Sequence, residues 1–139
     1  MDQILRILMN PSPLFVLLFI GTVAGLLLLI ALQAQRQVPA EAGKTPIYKT
    51  IGGGRIGWLN YRGPFISLRL YQEFLVIRAL QTIVLSYTEI ESVEVRKWLG
   101  VTADRIQITH RSLRAPETII LGVSNPKRVK EMVDQRRLE

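Results

Sequence analysis

Residues 51–58, IGGGRIGW, are the segment of this sequence that most resembles a ligand-binding motif. Gly52, Gly54 and Gly57 have the G-x-G-x-x-G spacing of a dinucleotide-binding loop. Such a loop needs a strand before it and a helix that opens at its last glycine, within a βαβ unit of about 30 residues. Here the chain turns at Gly63-Pro64 and then shows strand patterns. We therefore predict no nucleotide site, and interpret the glycines as a hinge at the entry to a domain.

His110 is the only histidine and the next candidate for catalysis. A general base would need an orienting acid and a nucleophile within reach. Ser112 is nearby in sequence, but its spacing from His110 forms no triad pattern. We interpret His110 as a partly buried, hydrogen-bonded residue at the end of a strand, and we expect no enzymatic activity.

Four acidic residues lie close together in sequence: Glu89, Glu91, Glu94 and Asp104. A Ca²⁺ site would need six or more oxygen ligands from a loop, whereas carboxylates beside arginines usually form a solvated surface. With no cysteine and one histidine, thiolate and multi-histidine metal sites are excluded. We predict no metal site and no cofactor.

The elements that position these residues begin with an apolar segment. No charged residue lies between Arg6 and Arg36, and residues 14–32 span about 29 Å as a helix, close to the roughly 30 Å of a bilayer core. We predict a tail at 1–12 and a transmembrane helix at 13–34. The alternative is a signal peptide, whose apolar core would be about 7–15 residues and therefore shorter.

Basic residues flank this helix unequally. Arg6 precedes it, whereas Arg36, Lys44, Lys49 and Arg55 follow it. The positive-inside rule then predicts an outside N-terminus and a C-terminal domain on the cytoplasmic, or stromal, side.

Gly21 and Gly25 form a GxxxG motif inside the predicted helix. Two glycines on one face let another helix approach closely, which predicts a membrane-helix packing site. The alternative is that small residues are simply common in membrane helices.

The net charge of +7 indicates an anionic partner. Residues 35–50 are polar and predict a short tether, and residues 43–72 contain no acid. A first set of residues is predicted to contact the membrane surface or a partner: Lys44, Lys49, Arg55, Trp58, Tyr61, Arg62 and Arg69. The alternative is an ordinary solvated face.

A second basic patch is predicted towards the end of the chain: Arg111, Arg114, Lys127, Arg128, Arg136 and Arg137. Nucleic acid would fit this charge, but an aromatic stacking platform for single strands is missing from the sequence. An acidic protein surface or anionic lipid is the preferred partner.

From residue 65 onward apolar and polar residues alternate with a period of two. The strand segments are predicted at 65–71, 74–80, 82–87, 90–98, 105–111 and 118–123. Ser124 or Asn125 can then cap a helix whose first turn contains Pro126. The prediction is an α+β domain over 51–139, with six or seven antiparallel strands in a bent sheet or small barrel closed by a C-terminal helix.

The strand pair ISLRLYQEFLVIRAL, residues 86–93, the hairpin RIQITHR…ETIILGV and the helix NPKRVKEMV carry a resemblance. Over about residues 50–138 the pattern resembles the pleckstrin-homology (PH) superfold, especially small membrane-anchored bacterial PH-like domains. Phosphoinositide-binding PH domains carry bases around their first hairpin loop, whereas residues 71–73, interpreted as that loop, are short and acidic. The resemblance therefore implies a platform that binds proteins or the membrane surface, without a defined headgroup site.

Together these features predict a non-enzymatic, single-pass membrane protein. Its cytoplasmic PH-like domain would serve as an accessory subunit, assembly factor or adaptor of a membrane complex. The expected partners are membrane lipids and an integral membrane complex, or a homo-oligomer formed through the transmembrane helix; nucleic acid is not expected. The alternative function is an anionic-lipid-sensing module at the membrane surface.

Overall fold

The structure is a computed structural model in which residues 12–97 and 104–139 are described. An N-terminal apolar helix precedes a curled antiparallel sheet of seven strands, which forms a half-barrel with a C-terminal helix. The α+β fold class is thereby confirmed. The elements are α1 Pro13–Gln35, β1 Tyr48–Ile56, β2 Leu59–Leu70, β3 Phe74–Arg78, β4 Thr82–Ser86, β5 Ile90–Lys97, β6 Asp104–His110, β7 Ile119–Gly122 and α2 Pro126–Arg137.

The helix α1 begins where the sequence predicts it. The Ser12 hydroxyl accepts a hydrogen bond from the Phe15 N–H at 3.3 Å, and Pro13 occupies the first turn, where its missing N–H has no effect. Residues 13–33 contain an 18-residue window with a mean hydropathy of 2.9 and are long and apolar enough to cross a membrane.

The sheet has the strand order β4-β3-β2-β1-β7-β6-β5, so β1 lies in the middle between β2 and β7. Apolar side chains on the inner face form one core, and they include Leu68, Leu85 and Ile108. The helix α2 completes the core with Val129 and Val133, which are buried against it. The Asn125 side chain caps α2 by accepting a hydrogen bond from the Arg128 N–H at 3.2 Å.

The predicted hinge at the glycines is wrong, because residues 48–56 form the central strand β1 and residues 59–70 form one long strand through Gly63-Pro64. A Cβ atom added at Gly52 or Gly54 would lie closer than 3.0 Å to a backbone oxygen of β7. The register of β1 against β2 also shifts between these two glycines, as at a β-bulge. The glycines are thus required where two strands approach closely.

Gly57 has a φ of +60° and forms the β1–β2 turn with Trp58. A strand follows this turn, whereas a dinucleotide loop would open into a helix. The first hairpin of the domain is therefore β1–β2, and residues 71–73 belong to the second hairpin, β2–β3. The sequence-based comparison with the first PH hairpin was made on the wrong loop.

Candidate functional site

A buried ion pair joins the segment after α1 to the outer face of the sheet. Glu41 is 0% exposed and Arg69, in β2, is 3% exposed. The Arg69 Nη1 atom lies 3.1 Å and 3.2 Å from the two Glu41 carboxylate oxygens. The Tyr71 hydroxyl donates to the same carboxylate at 2.7 Å. We call Glu41, Arg69 and Tyr71 the linker lock.

The backbone of the same segment is attached at further points. The Val38 N–H donates to the Glu41 carboxylate at 2.6 Å, and the Arg36 carbonyl accepts from Arg69 at 3.3 Å and also from Arg78. The Ile47 N–H donates to the Leu70 carbonyl at 2.7 Å. Residues 36–47, which belong to the predicted short tether at 35–50, are therefore docked on the sheet.

The environment of the linker lock determines its charges. Burial by itself raises the pKa of the Glu41 carboxyl, but the hydrogen bonds from Val38, Tyr71 and Arg69, with the Arg69 charge, outweigh burial and lower this pKa. Burial, with the hydrogen bond to the Glu41 carboxylate, raises the pKa of Tyr71 to about 12. The result is an ionised carboxylate paired with a guanidinium, with a neutral phenol beside them.

The predicted surface-contact residues do not share one environment. Arg69 belongs to the linker lock, so its guanidinium is buried and not presented on the protein surface. Lys44 pairs with Glu73 at 3.3 Å and lies over the Phe74 ring, 4.8 Å from its centroid. Tyr61 packs partly against the core. The remaining members are exposed on β1, its turn and β2: Lys49, Arg55, Trp58 and Arg62.

One end of the half-barrel gathers several of these exposed residues. Trp58 lies at the β1–β2 turn, and Leu80 lies in the β3–β4 turn; both line a small cavity that also includes Pro116 of the β6–β7 loop. The Arg55 Nε donates to the Gly57 carbonyl at 3.0 Å, which places the guanidinium at the same turn. We call this region the turn end.

The helix α1 packs beside the turn end. Leu27 and Ile30 line a groove together with Arg62, Phe65 and Leu80. The groove lies between the apolar span of α1 and the first half of β2.

The basic residues of the second predicted patch do not all lie together in the structure. Lys127 and Arg128 lie in the first turn of α2, about 14 Å along the helix axis from Arg136 and Arg137. The Arg137 guanidinium donates to the backbone carbonyls of Ile90 and Glu91, and so fastens α2 to β5.

The other two members of that patch lie after β6. Arg111 donates to the Thr88 carbonyl at 3.5 Å and pairs with Glu91 at 3.6 Å, whereas Arg114 is exposed in the β6–β7 loop. Arg111 and Arg137 both contact Glu91 and so lie near each other, whereas Lys127 and Arg128 lie at the opposite end of α2.

Gly21 and Gly25 lie on exposed turns of α1, and a Cβ atom added at either would meet no other atom within 4 Å. The two glycines thus leave a shallow, unfilled face in the apolar helix. Within the described chain this face packs against nothing, so a larger side chain there would not disturb the fold.

The residues considered for catalysis and metal binding have local structural contacts. The His110 Nε2 atom lies 2.8 Å from the Pro116 carbonyl and holds the β6–β7 loop. The Glu89 carboxylate accepts from the Ser86 N–H at 3.0 Å. Among the residues that the structure describes, no group of three or more His, Cys, Asp or Glu side chains is arranged to hold a metal ion.

The sequence reasoning missed the linker lock. Arg69 alternates with the core residues Leu68 and Leu70, and Tyr71 continues this alternation directly after β2, so both lie on the outer face of the sheet. That alternation was visible in the sequence. The partner, Glu41, is 28 residues away, and only the fold brings it there.

No protein-family model matches the chain, and no curated protein matches it. Among solved structures the chain is similar to the C-terminal domain of an unknown protein from Leishmania infantum, with a TM-score of 0.57 and 16% sequence identity. The match covers 73% of this chain and 91% of that one. At this identity the likeness shows the fold alone, and the curled sheet with its C-terminal helix is consistent with a PH-like fold.

Proposed function

We propose that this chain is a non-enzymatic, single-pass membrane protein whose PH-like domain acts as an accessory subunit, assembly factor or adaptor of a membrane complex. The helix α1 is its anchor, and the domain lies on the cytoplasmic side. The family resemblance to membrane-anchored PH-like domains is part of this proposal. The observation that carries it is the docked linker.

The linker lock supports this function because it restricts how the domain is presented. A free tether of about 12 residues would let the domain turn in any direction. Docking of residues 36–47 on β2 and β3 instead gives the domain a fixed orientation relative to the end of α1. A fixed orientation favours stable contact with a neighbouring membrane protein over capture of a diffusing ligand.

The sheet also provides a site for such a contact. β5 is one edge of the sheet, and α2 covers part of it through Arg137. β4 is the other edge and, among the described strands, pairs only with β3. Thr82 and Val84 are exposed on it. An extended segment of a partner can add to such an edge through main-chain hydrogen bonds.

The orientation across the membrane follows from the bases after α1. The chain has no native cysteine, so single cysteines report cleanly on each side. Under this proposal a membrane-impermeant thiol reagent labels Asn10→Cys in intact cells. It labels Ser124→Cys only after permeabilisation; the reverse pattern would refute the orientation.

Purification in mild detergent tests the adaptor function. The wild-type chain is expected to co-purify with an integral membrane partner or with a second copy of itself. Gly21→Leu with Gly25→Leu is expected to abolish that association if the helix face recognises the partner, since leucine fills the close-approach surface. Retention of the partner by this variant would assign recognition to the domain. A wild-type chain that runs as a free monomer with no partner would contradict the proposal.

The matched control is Phe19→Ala with Leu26→Ala, which changes exposed residues on the side of the helix away from the two glycines. This variant should retain the partner, because it introduces no bulk at Gly21 or Gly25. Because neither pair contacts the domain, the melting temperature of all these proteins should be the same.

Anionic-lipid sensing is the second candidate, supported by exposed bases on β1, β2 and the β6–β7 loop. Flotation of residues 36–139 with vesicles discriminates it from the first: sensing requires binding to anionic vesicles that weakens with salt. The fragment must include Glu41, since a shorter one starting at residue 45 would leave Arg69 buried without its carboxylate. Absence of flotation on anionic vesicles would remove this candidate.

A further inference from the structure

The turn end carries apolar side chains that the domain leaves uncovered. Trp58 is 82% exposed and Leu80 is 64% exposed, and they line the same cavity. Leu113 is fully exposed in the β6–β7 loop, the loop that also supplies Pro116 to this cavity. A single exposed apolar residue is ordinary on any protein surface. The grouping of Trp58 and Leu80 at the tips of two connections is what requires an explanation.

The position of α1 shows what lies next to the turn end. Leu27 and Ile30, which line the groove with Phe65 and Leu80, belong to the apolar span 13–33. A bilayer that surrounds this span therefore reaches the level of Phe65 and Leu80. The uncovered apolar tips are continuous with a surface that must itself be in lipid.

The charges around the turn end fit the same surroundings. Arg55 lies at the β1–β2 turn, Arg62 lines the groove beside α1, and Arg114 is exposed in the β6–β7 loop. Across residues 55–62, 78–82 and 111–118 the one acidic residue is Glu117. Bases near an anionic leaflet are attracted to its negative surface potential, and tryptophan is enriched at the headgroup level.

We propose that the turn end, with Trp58 and Leu80 at its tip, inserts into the boundary between headgroups and acyl chains of the bilayer that α1 crosses. The domain is then attached to the membrane at two places. The inference rests on the proposed anchoring by α1 and deepens it by naming the second attachment and its lipid contact. The docked linker supports this geometry, since the hydrogen bond from Arg69 to the Arg36 carbonyl leaves no slack after α1.

Tryptophan fluorescence tests the insertion in the full-length chain. The sequence has two tryptophans, so Trp98→Phe leaves Trp58 as the single reporter. In nanodiscs of phosphatidylcholine, Trp58 emission is expected to shift to shorter wavelength compared with an aqueous tryptophan. Lipids brominated along the acyl chain are expected to quench most of that emission. Solvent-like emission with no quenching, both in these nanodiscs and in nanodiscs that contain phosphatidylglycerol, would overturn the insertion.

Two further reporters separate failure of the insertion from failure of the anchor. With both native tryptophans replaced by phenylalanine, Val23→Trp reports on α1 and Leu138→Trp reports on an exposed position, 89% accessible, at the end of α2. Val23→Trp should be quenched and Leu138→Trp should not. Quenching at position 23 without quenching of Trp58 refutes the second attachment alone. Loss of quenching at both refutes the anchor as well.

The lipid composition and one substitution complete the test. Quenching of Trp58 in zwitterionic discs shows insertion by the apolar tips, and quenching that requires phosphatidylglycerol shows that the arginines are needed too; both support the proposal.

Leu80→Asp, in the Trp98→Phe chain, should reduce the quenching of Trp58, because a carboxylate at the tip opposes insertion. Leu138→Asp is the matched control and should leave the quenching unchanged. Equal quenching in the two variants would refute a role for Leu80.

Discussion

Replacing Gly54 with alanine is expected to prevent stable folding of the domain. An alanine Cβ at this position would lie far inside contact distance of the Ile120 carbonyl oxygen, with the Leu121 backbone 3.0 Å away. The obstacle is backbone of β7, which cannot turn aside as a flexible side chain can. We expect a loss of more than about 4 kcal/mol in the free energy of unfolding, in the range of exceptional single substitutions. Denaturant unfolding in detergent and protease resistance measure it.

The control for this substitution is Gly122→Ala in the same crossing of strands. Its Cβ atom would lie 3.2 Å from the Gly53 carbonyl oxygen, a separation that a small shift can relieve. A loss of about 1 kcal/mol is expected, typical of single substitutions. If Gly54→Ala is as mild as Gly122→Ala, the close approach of β1 and β7 is incorrect.

Replacing Glu41 with glutamine is expected to have the next largest effect. The substitution leaves the Arg69 guanidinium buried without its counter-charge, and the Tyr71 hydroxyl loses an ionised acceptor. Breaking a buried pair by removing one partner costs about 3–5 kcal/mol. The same free energy of unfolding measures this loss, and protease cleavage within residues 36–47 should increase as the linker detaches from the sheet.

An exposed ion pair of the same segment supplies the matched control. Lys44 and Glu73 are 3.3 Å apart, with 45% and 79% of their side chains exposed. Glu73→Gln is expected to cost no more than about 1 kcal/mol, since solvent screens such a pair. In the double variant Glu41→Leu with Arg69→Met, both charges are absent, and part of the stability should return. A Glu41→Gln loss as small as that of Glu73→Gln would contradict the linker lock.

The pH dependence gives an independent check on Glu41. Its pKa in the folded chain is lowered from the ordinary value of 4.5, so the folded state binds fewer protons than the unfolded chain near that pH. This stabilisation is fully present above pH 4.5 and is lost as the pH falls through the lowered pKa. Glu41→Gln should remove that part of the acid dependence. For Tyr71, whose pKa rises from 10.0 to about 12, stability should instead decline as the pH rises through this interval.

The two sets of variants report on different parts of the proposed function. Gly54→Ala acts on the sheet itself, whereas Glu41→Gln leaves the core intact and releases the orientation of the domain. If the docked linker matters for partner contact or for insertion of the turn end, Glu41→Gln should weaken these even under conditions where the domain remains folded.

Several elements could be predicted because their signals are local. The uncharged run before Arg36 predicts α1, since length and hydropathy alone decide whether a helix can span a bilayer. The alternation after residue 65 predicts the strands, and Asn125-Pro126 marks the start of α2. For each, the residues that determine the structure are next to each other in the chain.

The central strand β1 could not be recognised in the same way. Glycine has low strand propensity, so Gly52 and Gly54 indicated a hinge. Their requirement comes from β7, more than 60 residues later, whose backbone approaches where a side chain would collide. The identity of the first hairpin, and with it the position of Trp58, depended on that strand.

By itself the sequence determined the N-terminal apolar helix, the basic balance of the chain and the α+β class, because these follow from composition and short-range periodicity. Only the tertiary structure determined which charged residues and glycines are buried and what they contact. It buried Arg69 against a carboxylate 28 residues away, divided the basic residues of α2 between its two ends, and brought Trp58 and Leu80 together beside α1. Burial and proximity arise from contacts between distant segments, which the spacing of residues along the chain does not record.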